Sequence, residues 1–448
     1  MLDPRVFKAY DVRGVYPAEM DEDGARAIGR AYVEQFEPKR IAVGRDMRVS
    51  SPTMAKAAIE GASAAGADVV DIGLVGTEML YAAVGHLGLD GGIQVTASHN
   101  PKEYTGMKIV RRGALPVGGD SGLLDIRDRA VSPPATPRDQ VPGQVRDEDV
   151  FPAYVDKVLS FIDIDEVLPL HVLIDAANGM AGVMLPPVLE RLPKLKVRPF
   201  YFEPDGTFPN HEPNPLLPEN REFIVKKTLE LGAGLGVAFD GDADRCFFVD
   251  DTGEFVPGDF VTALLAEGIL EKHPGAKIIY DVRASWAVPE TIKRAGGIPL
   301  INRVGHAFIK QRMREEDAVF GGEVSGHYYF RDFYQADSGV IPFLLIVELI
   351  AKRGQRLSEL LRPYREHYFL TGEINVPVTD VAVKLQEIKE RFGAEGKVSH
   401  LDGISIEAED WHLNVRPSNT EPLLRLNLEA LSQELMEQKR DEVLALIS

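Results

Sequence analysis

The chain has 448 residues, of which 44% are hydrophobic and 27% are charged, and its formal net charge is -19 at pH 7. This length is too great for a single hydrophobic core, so two to four domains are expected. A diffuse acidic surface disfavours nucleic acid and anionic membranes as partners, and an anionic ligand would need a local cluster of Arg and Lys.

The cysteine content and the apolar segments indicate a cytoplasmic protein. Cys246 is the single cysteine, so no disulfide within the chain is expected. The charged residues 1–14 contain no signal-peptide pattern. The most apolar stretch, Val340 to Ala351, contains Glu348 and is predicted to be a buried helix, because it is too short to span a membrane.

Short apolar strands alternate with helical patterns, which is typical of α/β layers with mostly parallel sheets. One plan occurs three times: a strand ends in polar residues, a helix follows, and a later strand runs into a polar loop. The strand pairs are 41–46 with 92–98, 172–178 with 235–240, and 277–283 with 318–323. We therefore predict three mixed α/β domains of similar topology, with their polar loops facing one cleft.

The domain boundaries are predicted from breaks in this pattern. A Pro-rich connector covers 131–143 and precedes a helix near Phe151, and a hairpin-like turn covers 250–253. After His367 the pattern changes to strand 373–378, a helix, strand 424–429 and a final helix at 432–447. The predicted domains are 1–147, 148–252, 253–367 and a smaller C-terminal α+β domain, 368–448.

The first polar loop, Thr96-Ala-Ser-His-Asn-Pro101, places Ser98 where a strand ends. A serine hydroxyl is a poor nucleophile unless a base or a metal ion activates it. His99 is adjacent, but neighbouring side chains of an extended chain point apart, so we do not expect a Ser98–His99 pair. Lys108 is a candidate to supply positive charge or a proton. Taken alone, the loop fits a capped turn better than a catalytic site.

The second polar loop, Asp240-Gly-Asp-Ala-Asp-Arg245, carries three carboxylates at alternate positions directly after an apolar strand. Carboxylates so spaced can converge on one hard cation, and Mg²⁺ prefers oxygen ligands. An EF-hand also begins with Asp at positions 1, 3 and 5, but it needs Gly at position 6 and Glu at position 12, where this chain has Arg245 and Asp251. The sequence therefore predicts a magnesium loop here.

Two further loops have the composition of sugar- and phosphate-binding segments. In Gly322-Glu-Val-Ser-Gly-His327 the alternate residues Glu323, Ser325 and His327 would share one face of an extended segment. Such a row suits hydrogen bonds to sugar hydroxyls, although a polar edge strand explains it equally well. Arg416-Pro-Ser-Asn-Thr420 joins a guanidinium to short donors, as in a phosphate-binding loop, but this signal alone is weak.

The sequence lacks the common nucleotide-binding motifs and a zinc-binding motif. No G-x-x-x-x-G-K-[ST] motif occurs, so a P-loop kinase or ATPase is unsupported. The glycines in Gly232-Ala-Gly-Leu-Gly236 precede their strand, which is the wrong order for a dinucleotide-binding turn. No Cys/His cluster indicates zinc.

These four loops, one in each predicted domain, together with the opening Phe7-Lys-Ala-Tyr-Asp-Val-Arg-Gly14, resemble the α-D-phosphohexomutase superfamily over nearly the whole length. The resemblance implies three similar α/β domains and a mobile fourth, hinged near Tyr368, around a central cleft. It also implies that Ser98 carries a phosphoryl group, and that Ser98 with Asp240, Asp242 and Asp244 holds one Mg²⁺ ion.

Further roles are implied by the same motifs. The implied catalytic residues, besides Ser98, are Arg13, Lys108, Arg245, His306 and His327. The choice between the two histidines as proton carrier stays open. The implied substrate-binding residues are Tyr10, His99, Arg283, Glu323, Ser325, Arg416, Ser418, Asn419 and Thr420.

The implied reaction interconverts hexose 1-phosphate and hexose 6-phosphate through a hexose 1,6-bisphosphate, with glucose 1,6-bisphosphate as activator. Asn419 and Val324 favour mannose or glucose as the sugar, because the phosphoglucosamine branch more often has Gly and Gln there. Arg283, where dual-specificity members commonly have Lys, is a departure from the family pattern. The expected partners are small sugar phosphates, and the chain is expected to be a monomer or dimer.

Two rival functions come from other classes. A phosphatase with an aspartyl nucleophile would also use an Asp-rich magnesium loop, but it would need neither Ser98 nor the Arg416 loop. A non-catalytic sugar-phosphate-binding protein would normally have lost the serine or a metal carboxylate, and this sequence retains both.

Overall fold

The computed structural model of the protein describes residues 2–132, 141–418 and 423–447. The chain forms two compact units, Met1–Phe255 with His327–Gly354, and Val256–Gly326 with Gln355–Ser448. Each unit joins parts of more than one predicted domain, so the four boundaries remain predictions. Part of the predicted connector, residues 133–140, lies outside the described residues.

The first sheet is mixed and belongs to the first unit. Its strands are β1 (Val12–Val15), β2 (Arg40–Arg45), β3 (Asp68–Leu74), β4 (Gly91–Val95), β5 (Tyr104–Arg111), β6 (Leu115–Pro116) and β7 (Val145–Asp147). Its helices are α1 (Glu22–Phe36), α2 (Ser51–Ala64), α3 (Thr77–His86) and α4 (Leu123–Val131). The strand order is β1-β5-β4-β2-β3-β7, with β6 beside β5. Strand β2 pairs in parallel with both β3 and β4, so these three strands end at one edge of the sheet.

The second sheet also belongs to the first unit. Its strands are β8 (Leu170–Asp175), β9 (Leu195–Phe200), β10 (Leu235–Phe239) and β11 (Cys246–Val249), and β12 (Phe255–Val256) follows where the chain passes to the second unit. Its helices are α5 (Phe151–Leu159), α6 (Ala181–Leu189) and α7 (Pro218–Glu230). The strand order is β11-β10-β8-β9, with β10 and β9 both parallel to β8.

The third sheet lies in the second unit, and its three strands are parallel. Its strands are β13 (Lys277–Asp281), β14 (Ile298–Asn302) and β15 (Phe320–Gly322), and its helices are α8 (Gly258–Lys272), α9 (Ala287–Arg294) and α10 (His306–Glu316). Strand β13 pairs in parallel with β14 on one side and with β15 on the other. In the first unit, β16 (Tyr328–Phe330) pairs antiparallel with β17 (Ala336–Asp337) and leads into α11 (Val340–Arg353).

The C-terminal sheet of the second unit is antiparallel and follows α12 (Leu357–Arg365). Its strands are β18 (Phe369–Leu370), β19 (Ile374–Pro377), β20 (Lys397–Ser399), β21 (Ile404–Glu407), β22 (Trp411–Pro417) and β23 (Leu423–Ala430). Its helices are α13 (Val381–Phe392) and α14 (Gln433–Ile447). The strand order is β18-β23-β22-β21-β20, with β19 also paired to β23, which is the different design that the sequence predicts.

The predicted repetition is confirmed at the level of strand pairing. Each predicted pair of strands forms a parallel neighbour pair, namely β2 with β4, β8 with β10, and β13 with β15. In each sheet the next strand along the chain pairs on the other side of the first one. The three α/β sheets therefore share one local topology, and their polar loops leave from equivalent strand ends.

Helix α11 is the apolar segment that the sequence predicts to be buried. Its residues from Val340 to Glu348 are buried, and Glu348 is 5% exposed. Within the described residues, no helix combines the length and the apolar character that crossing a membrane requires.

Candidate active site

Two of the polar loops meet in the first unit, each directly after the end of a buried strand. The serine loop follows β4, and the metal loop, Asp240 to Arg245, follows β10. The two backbones touch: a Cβ atom on Gly241 would lie 2.4 Å from the carbonyl oxygen of Ser98. Glycine at this position therefore permits the close approach that brings the Ser98 hydroxyl to the carboxylates.

Ser98 adopts a left-handed backbone conformation, with φ of 50°, and is 3% exposed. Its Oγ donates to Asp240 Oδ2 at 3.1 Å and lies 3.2 Å from His99 Nδ1. The sequence-based expectation that Ser98 and His99 point apart was therefore wrong, because it assumed an extended chain. Burial lowers the pKa of His99 well below its usual range, and the nearby Arg245 and Arg13 lower it further.

The three carboxylates of the metal loop converge as the sequence predicts. Asp240, Asp242 and Asp244 are almost fully buried, and one oxygen from each lies within 4.8 Å of the others. Ala243, with φ of 60°, turns the loop tightly, and its amide donates to the Asp240 carbonyl at 3.1 Å.

These carboxylates suit a hard divalent cation. Within the described residues, Asp242 Oδ1 and Asp244 Oδ1 are buried without a hydrogen-bond donor. Buried anionic oxygens are costly unless a donor or a cation satisfies them. An all-oxygen donor set of this kind matches Mg²⁺ and is unlike the nitrogen and sulfur ligands that zinc prefers.

Three predicted cationic residues surround the serine and the carboxylates. Lys108 Nζ donates to Asp242 Oδ2 at 2.7 Å and also to Asp244 Oδ2. Arg245 Nε donates to Asp240 Oδ2 at 2.9 Å. Arg13 Nη1 donates to the carbonyl of Ala97 at 2.9 Å, on the residue before Ser98.

Burial and ion pairing act against each other on the ionisable groups of this site. Burial alone would raise the pKa of Asp242, but Lys108 holds it below its usual range. Burial raises the pKa values of Asp240 and Asp244, and the neighbouring carboxylates raise them further. Lys108 is held protonated, because Asp242 and Asp244 raise its pKa against the effect of burial.

His327 joins this cluster, and the sequence reasoning missed a further carboxylate beside it. His327 Nε2 lies 3.7 Å from Asp244 Oδ1, and its backbone forms an antiparallel bridge with Arg245. Asp337, at the end of β17, is 1% exposed and groups with Asp244 and His327 within 4.8 Å. No local signal in the sequence relates Asp337 to a loop almost a hundred residues earlier.

The predicted extended segment Gly322–His327 is a turn in the structure. Strand β15 ends at Gly322, the Gly326 amide donates to the Glu323 carbonyl at 3.0 Å, and Gly326 has φ of 83°. The alternation that would place Glu323, Ser325 and His327 on one face was therefore wrong. Glu323 and Ser325 belong to the second unit, whereas His327 belongs to the first.

Arg48 is a second residue that the sequence reasoning missed. It is 1% exposed, and its guanidinium donates to four backbone carbonyls of the serine loop and the turn after it. The acceptors are Ser98 at 2.8 Å, Asn100 at 2.6 Å, Pro101 at 2.8 Å and Tyr104 at 3.1 Å. The available signal was its position just beyond β2, at the same sheet edge as the end of β4.

Replacing Arg48 with methionine is expected to destabilise the protein by about 3 kcal/mol, because it leaves the buried carboxylate of Asp46 without its ion-pair partner. The four carbonyls also lose their donor, so turnover should fall together with stability. Urea unfolding followed by circular dichroism measures the loss. Arg146→Met, at a half-exposed arginine of β7, is the matched control. An unchanged unfolding midpoint for Arg48→Met would contradict this role.

The second unit contains an arginine cluster around one carboxylate, Glu373. Its Oε2 lies 3.3 Å from Arg283 Nη1 and 3.2 Å from Arg416 Nη2, and its Oε1 lies 3.2 Å from Arg425 Nη1. Burial would raise the pKa of Glu373, but the three arginines lower it. Arg283 is also held by Asp281, at 2.8 Å between Nη2 and Oδ2. The sequence identified Arg283 and Arg416, whereas Arg425 and Glu373 were missed.

The remaining predicted residues have varied positions. Glu323 is 2% exposed, and its Oε1 accepts from the Gly305 amide at 2.9 Å, next to His306 at the start of α10. Tyr10 is partly exposed in the bend before β1. The Ser418 amide donates to the Leu423 carbonyl at 2.9 Å. Asn419 and Thr420 lie outside the described residues.

Comparison with known proteins gives matches along the whole chain. Models of the phosphoglucomutase/phosphomannomutase alpha/beta/alpha domains I, II and III match residues 4–129, 152–253 and 257–368, and the model of the C-terminal domain matches 373–446. A phosphomannomutase of Salmonella montevideo is 46% identical, over 99% of this chain and 98% of its own length. A protein of Xanthomonas campestris pv. campestris named "Phosphohexose mutases" is 44% identical, over 98% of each chain.

A solved structure extends the likeness to three dimensions. The phosphoglucomutase/phosphomannomutase family protein from Burkholderia thailandensis aligns with a TM-score of 0.89 and 32% identity. The alignment covers 100% of this chain and 97% of that one.

The three α/β sheets of one topology, the serine–carboxylate site and these matches define an enzyme of the phosphohexose mutase class, whose members are isomerases that transfer a phosphoryl group. The chain belongs to the phosphoglucomutase/phosphomannomutase family. The family resemblance and the fold class predicted from the sequence are thereby confirmed.

Proposed function

We propose that the enzyme interconverts the 1-phosphate and 6-phosphate of mannose, glucose or both, through a phosphoserine at Ser98 and a hexose 1,6-bisphosphate intermediate. The observation that carries the proposal is the hydrogen bond from Ser98 Oγ to Asp240 Oδ2, 3.1 Å long, within a buried group of carboxylates and cations. A serine in this setting can carry a phosphoryl group, because the negative charge of that group is neutralised locally.

The first half-reaction moves the phosphoryl group from Ser98 to the sugar phosphate. The bond between phosphorus and Ser98 Oγ breaks and a sugar hydroxyl oxygen forms the new bond to phosphorus. The hydroxyl proton passes to a base, and Ser98 Oγ takes up a proton as it leaves. The second half-reaction returns the other phosphoryl group to Ser98 after the sugar has turned over. Across the two halves, one proton leaves a sugar hydroxyl and one returns, so the sum is an isomerisation.

We assign the metal role to Asp240, Asp242 and Asp244 with the Ser98 phosphate, around one Mg²⁺ ion. Bound there, Mg²⁺ would neutralise charge on the transferring phosphoryl oxygens. The side chains of Lys108, Arg245 and Arg13 lie around Ser98 and these carboxylates, and they would neutralise further negative charge on a phosphoryl group carried by Ser98.

We assign the proton-accepting role to His327. Its Nε2 lies 3.7 Å from Asp244 Oδ1, at the edge of the buried carboxylate cluster, and a neutral imidazole can accept a proton near neutral pH. The observation that favours His327 is this position beside the serine–carboxylate cluster within the first unit.

We assign binding of the non-transferring phosphate to the arginine cluster around Glu373. Within the described residues, Arg416 Nε and Arg425 Nε are buried without a hydrogen-bond acceptor. Guanidinium donors in this state favour an anionic ligand, and arginine recognises phosphate with two parallel hydrogen bonds.

Replacing Arg416 with methionine is expected to lower kcat/KM by about 30- to 100-fold, mainly through KM, because the phosphate loses a buried charged donor. Steady-state kinetics over a range of hexose 1-phosphate concentrations measure this change. Arg391→Met, at an exposed arginine of α13, should have kinetics close to those of the wild type. Equal KM values for the two variants would contradict the assignment.

The deciding experiment compares three substrates with Mg²⁺ and a trace of glucose 1,6-bisphosphate: mannose 1-phosphate, glucose 1-phosphate and glucosamine 6-phosphate. Turnover of either of the first two, with little of the third, supports the proposal. Strong preference for glucosamine 6-phosphate would make the enzyme a phosphoglucosamine mutase. No turnover, on protein shown by mass spectrometry to carry phosphate at Ser98, would leave the binding-protein alternative.

A further inference from the structure

The N-terminal end of α3 lies directly against the metal loop. Thr77, the first residue of α3, donates its amide to the carbonyl of Asp242 at 3.2 Å, and its hydroxyl donates to Asp242 Oδ2. The helix start fits closely: a Cβ atom on Gly76 would lie 2.9 Å from the Asp242 carbonyl oxygen and 2.1 Å from Met184 Sδ. One residue therefore contacts both the backbone and the carboxylate of a proposed metal ligand.

The two carboxylate oxygens of Asp242 have different surroundings. Oδ2 accepts from the Thr77 hydroxyl and from Lys108 Nζ, which lies 2.7 Å away. Oδ1 is buried and has no donor among the described residues. Thr77 and Lys108 thus both hold Oδ2, and Oδ1 is the oxygen that a cation can reach.

The position of Thr77 is itself fixed, because the neighbouring Glu78 joins α3 to the start of α11. Glu78 is fully buried, and its Oε2 accepts from the amide of Gly339 at 2.6 Å, while Oε1 accepts from the hydroxyl of Tyr154. Gly339 in turn packs on the metal loop, since a Cβ atom there would lie 2.5 Å from the Ala243 carbonyl oxygen. The metal loop is therefore held from two sides by segments that are tied together.

We propose that Thr77 is a positioning residue for the metal site: its hydroxyl orients Asp242 so that Oδ1 faces the divalent cation. The identity of the cation as Mg²⁺ rests on the proposed function. Hydrogen-bond partners of metal-ligating side chains commonly contribute about 10- to 100-fold to metal affinity. The position of Thr77, 165 residues from Asp242 in the chain, is known only from the fold.

Isothermal titration calorimetry of the full chain with MgCl₂ tests this role. Thr77→Val removes the hydroxyl and keeps the shape and the amide, and it should weaken Mg²⁺ binding by about 10- to 100-fold. Thr77→Ser keeps a hydroxyl and should bind nearly as tightly as the wild type. Thr228→Val is the matched control, because Thr228 is equally buried but donates to the Ile224 carbonyl in α7. The Mg²⁺ concentration for half-maximal turnover should rise with the Kd of Thr77→Val.

The outcomes separate this inference from the proposed function. Wild-type affinity in Thr77→Val would overturn the role of Thr77, and so would equal weakening in Thr77→Val and Thr77→Ser. If Thr77→Val does not fold, Thr77→Ala supplies the hydroxyl-free comparison, with folding checked by thermal unfolding without metal. A wild type that binds no Mg²⁺ would overturn both the metal site and this inference. A wild type that binds Mg²⁺ through Thr77 but turns over no hexose phosphate would overturn the proposed function alone.

Discussion

Ser98→Ala is expected to abolish mutase turnover, with kcat lowered by about 10⁴-fold or more. The variant lacks the oxygen that accepts and returns the phosphoryl group in the proposed reaction, so no other residue in the site can complete the cycle. A coupled assay that oxidises the glucose 6-phosphate formed from glucose 1-phosphate measures this loss. Mass spectrometry of the intact protein should also show that the variant gains no phosphate from glucose 1,6-bisphosphate.

Ser160→Ala is the matched control, because Ser160 is exposed and its hydroxyl donates to the Lys157 carbonyl within its own helix end. Its turnover and phosphate content should equal those of the wild type. A Ser98→Ala variant that still hydrolyses hexose phosphates would favour the aspartyl-phosphatase alternative. The fold should survive the Ser98 substitution, since Arg48 holds the loop through backbone carbonyls.

Features that depend on neighbouring residues in the chain could be predicted from the sequence. In the sequence, each strand that ends in a polar loop is an apolar run followed directly by charged or hydroxyl residues. The convergence of Asp240, Asp242 and Asp244 follows from their alternate spacing on one loop, and the structure confirms it. The three-fold repetition could be predicted for the same reason, because each copy is a local pattern.

Features that depend on contacts between distant segments could not be predicted. The backbone of Ser98 turns into the left-handed region, with φ of 50°, in a loop that packs against Gly241 and Arg48. Glu373 and Arg425 meet in the second unit through pairing of β19 with β23. The register of that pairing is a tertiary property, so composition alone gave no reason to select these two residues.

The protein is acidic overall, with a formal net charge of -19, so an anionic substrate needs positive charge that is clustered locally. The structure contains such clusters. The cationic residues that the sequence predicts to be functional lie in two clusters. Lys108 and Arg245 pair with carboxylates of the metal loop, and Arg283 and Arg416 both pair with Glu373. Each cation is held in place by a carboxylate. Such pairing positions the positive charges before a phosphate arrives, which is the arrangement that electrostatic stabilisation requires.

Asp242→Asn is expected to lower kcat by about 10³-fold, because it removes one of three carboxylates proposed to hold Mg²⁺. The amide has the shape of the carboxylate and can still accept from the Thr77 hydroxyl, so the loop should keep its path. Lys108 loses one of its two anionic partners and retains Asp244. Turnover of glucose 1-phosphate at several Mg²⁺ concentrations, together with calorimetric Mg²⁺ binding, measures the effect.

Asp165→Asn, at an exposed aspartate outside the site, is the matched control and should leave both turnover and Mg²⁺ binding unchanged. Thermal unfolding without metal shows whether Asp242→Asn is folded, which separates a lost ligand from a lost structure. If the folded variant bound Mg²⁺ as tightly as the wild type and kept its turnover, the metal loop would not be the metal site. Asp242→Asn should also bind Mg²⁺ more weakly than Thr77→Val does. Losing a metal ligand costs more binding free energy than losing the hydroxyl that orients that ligand.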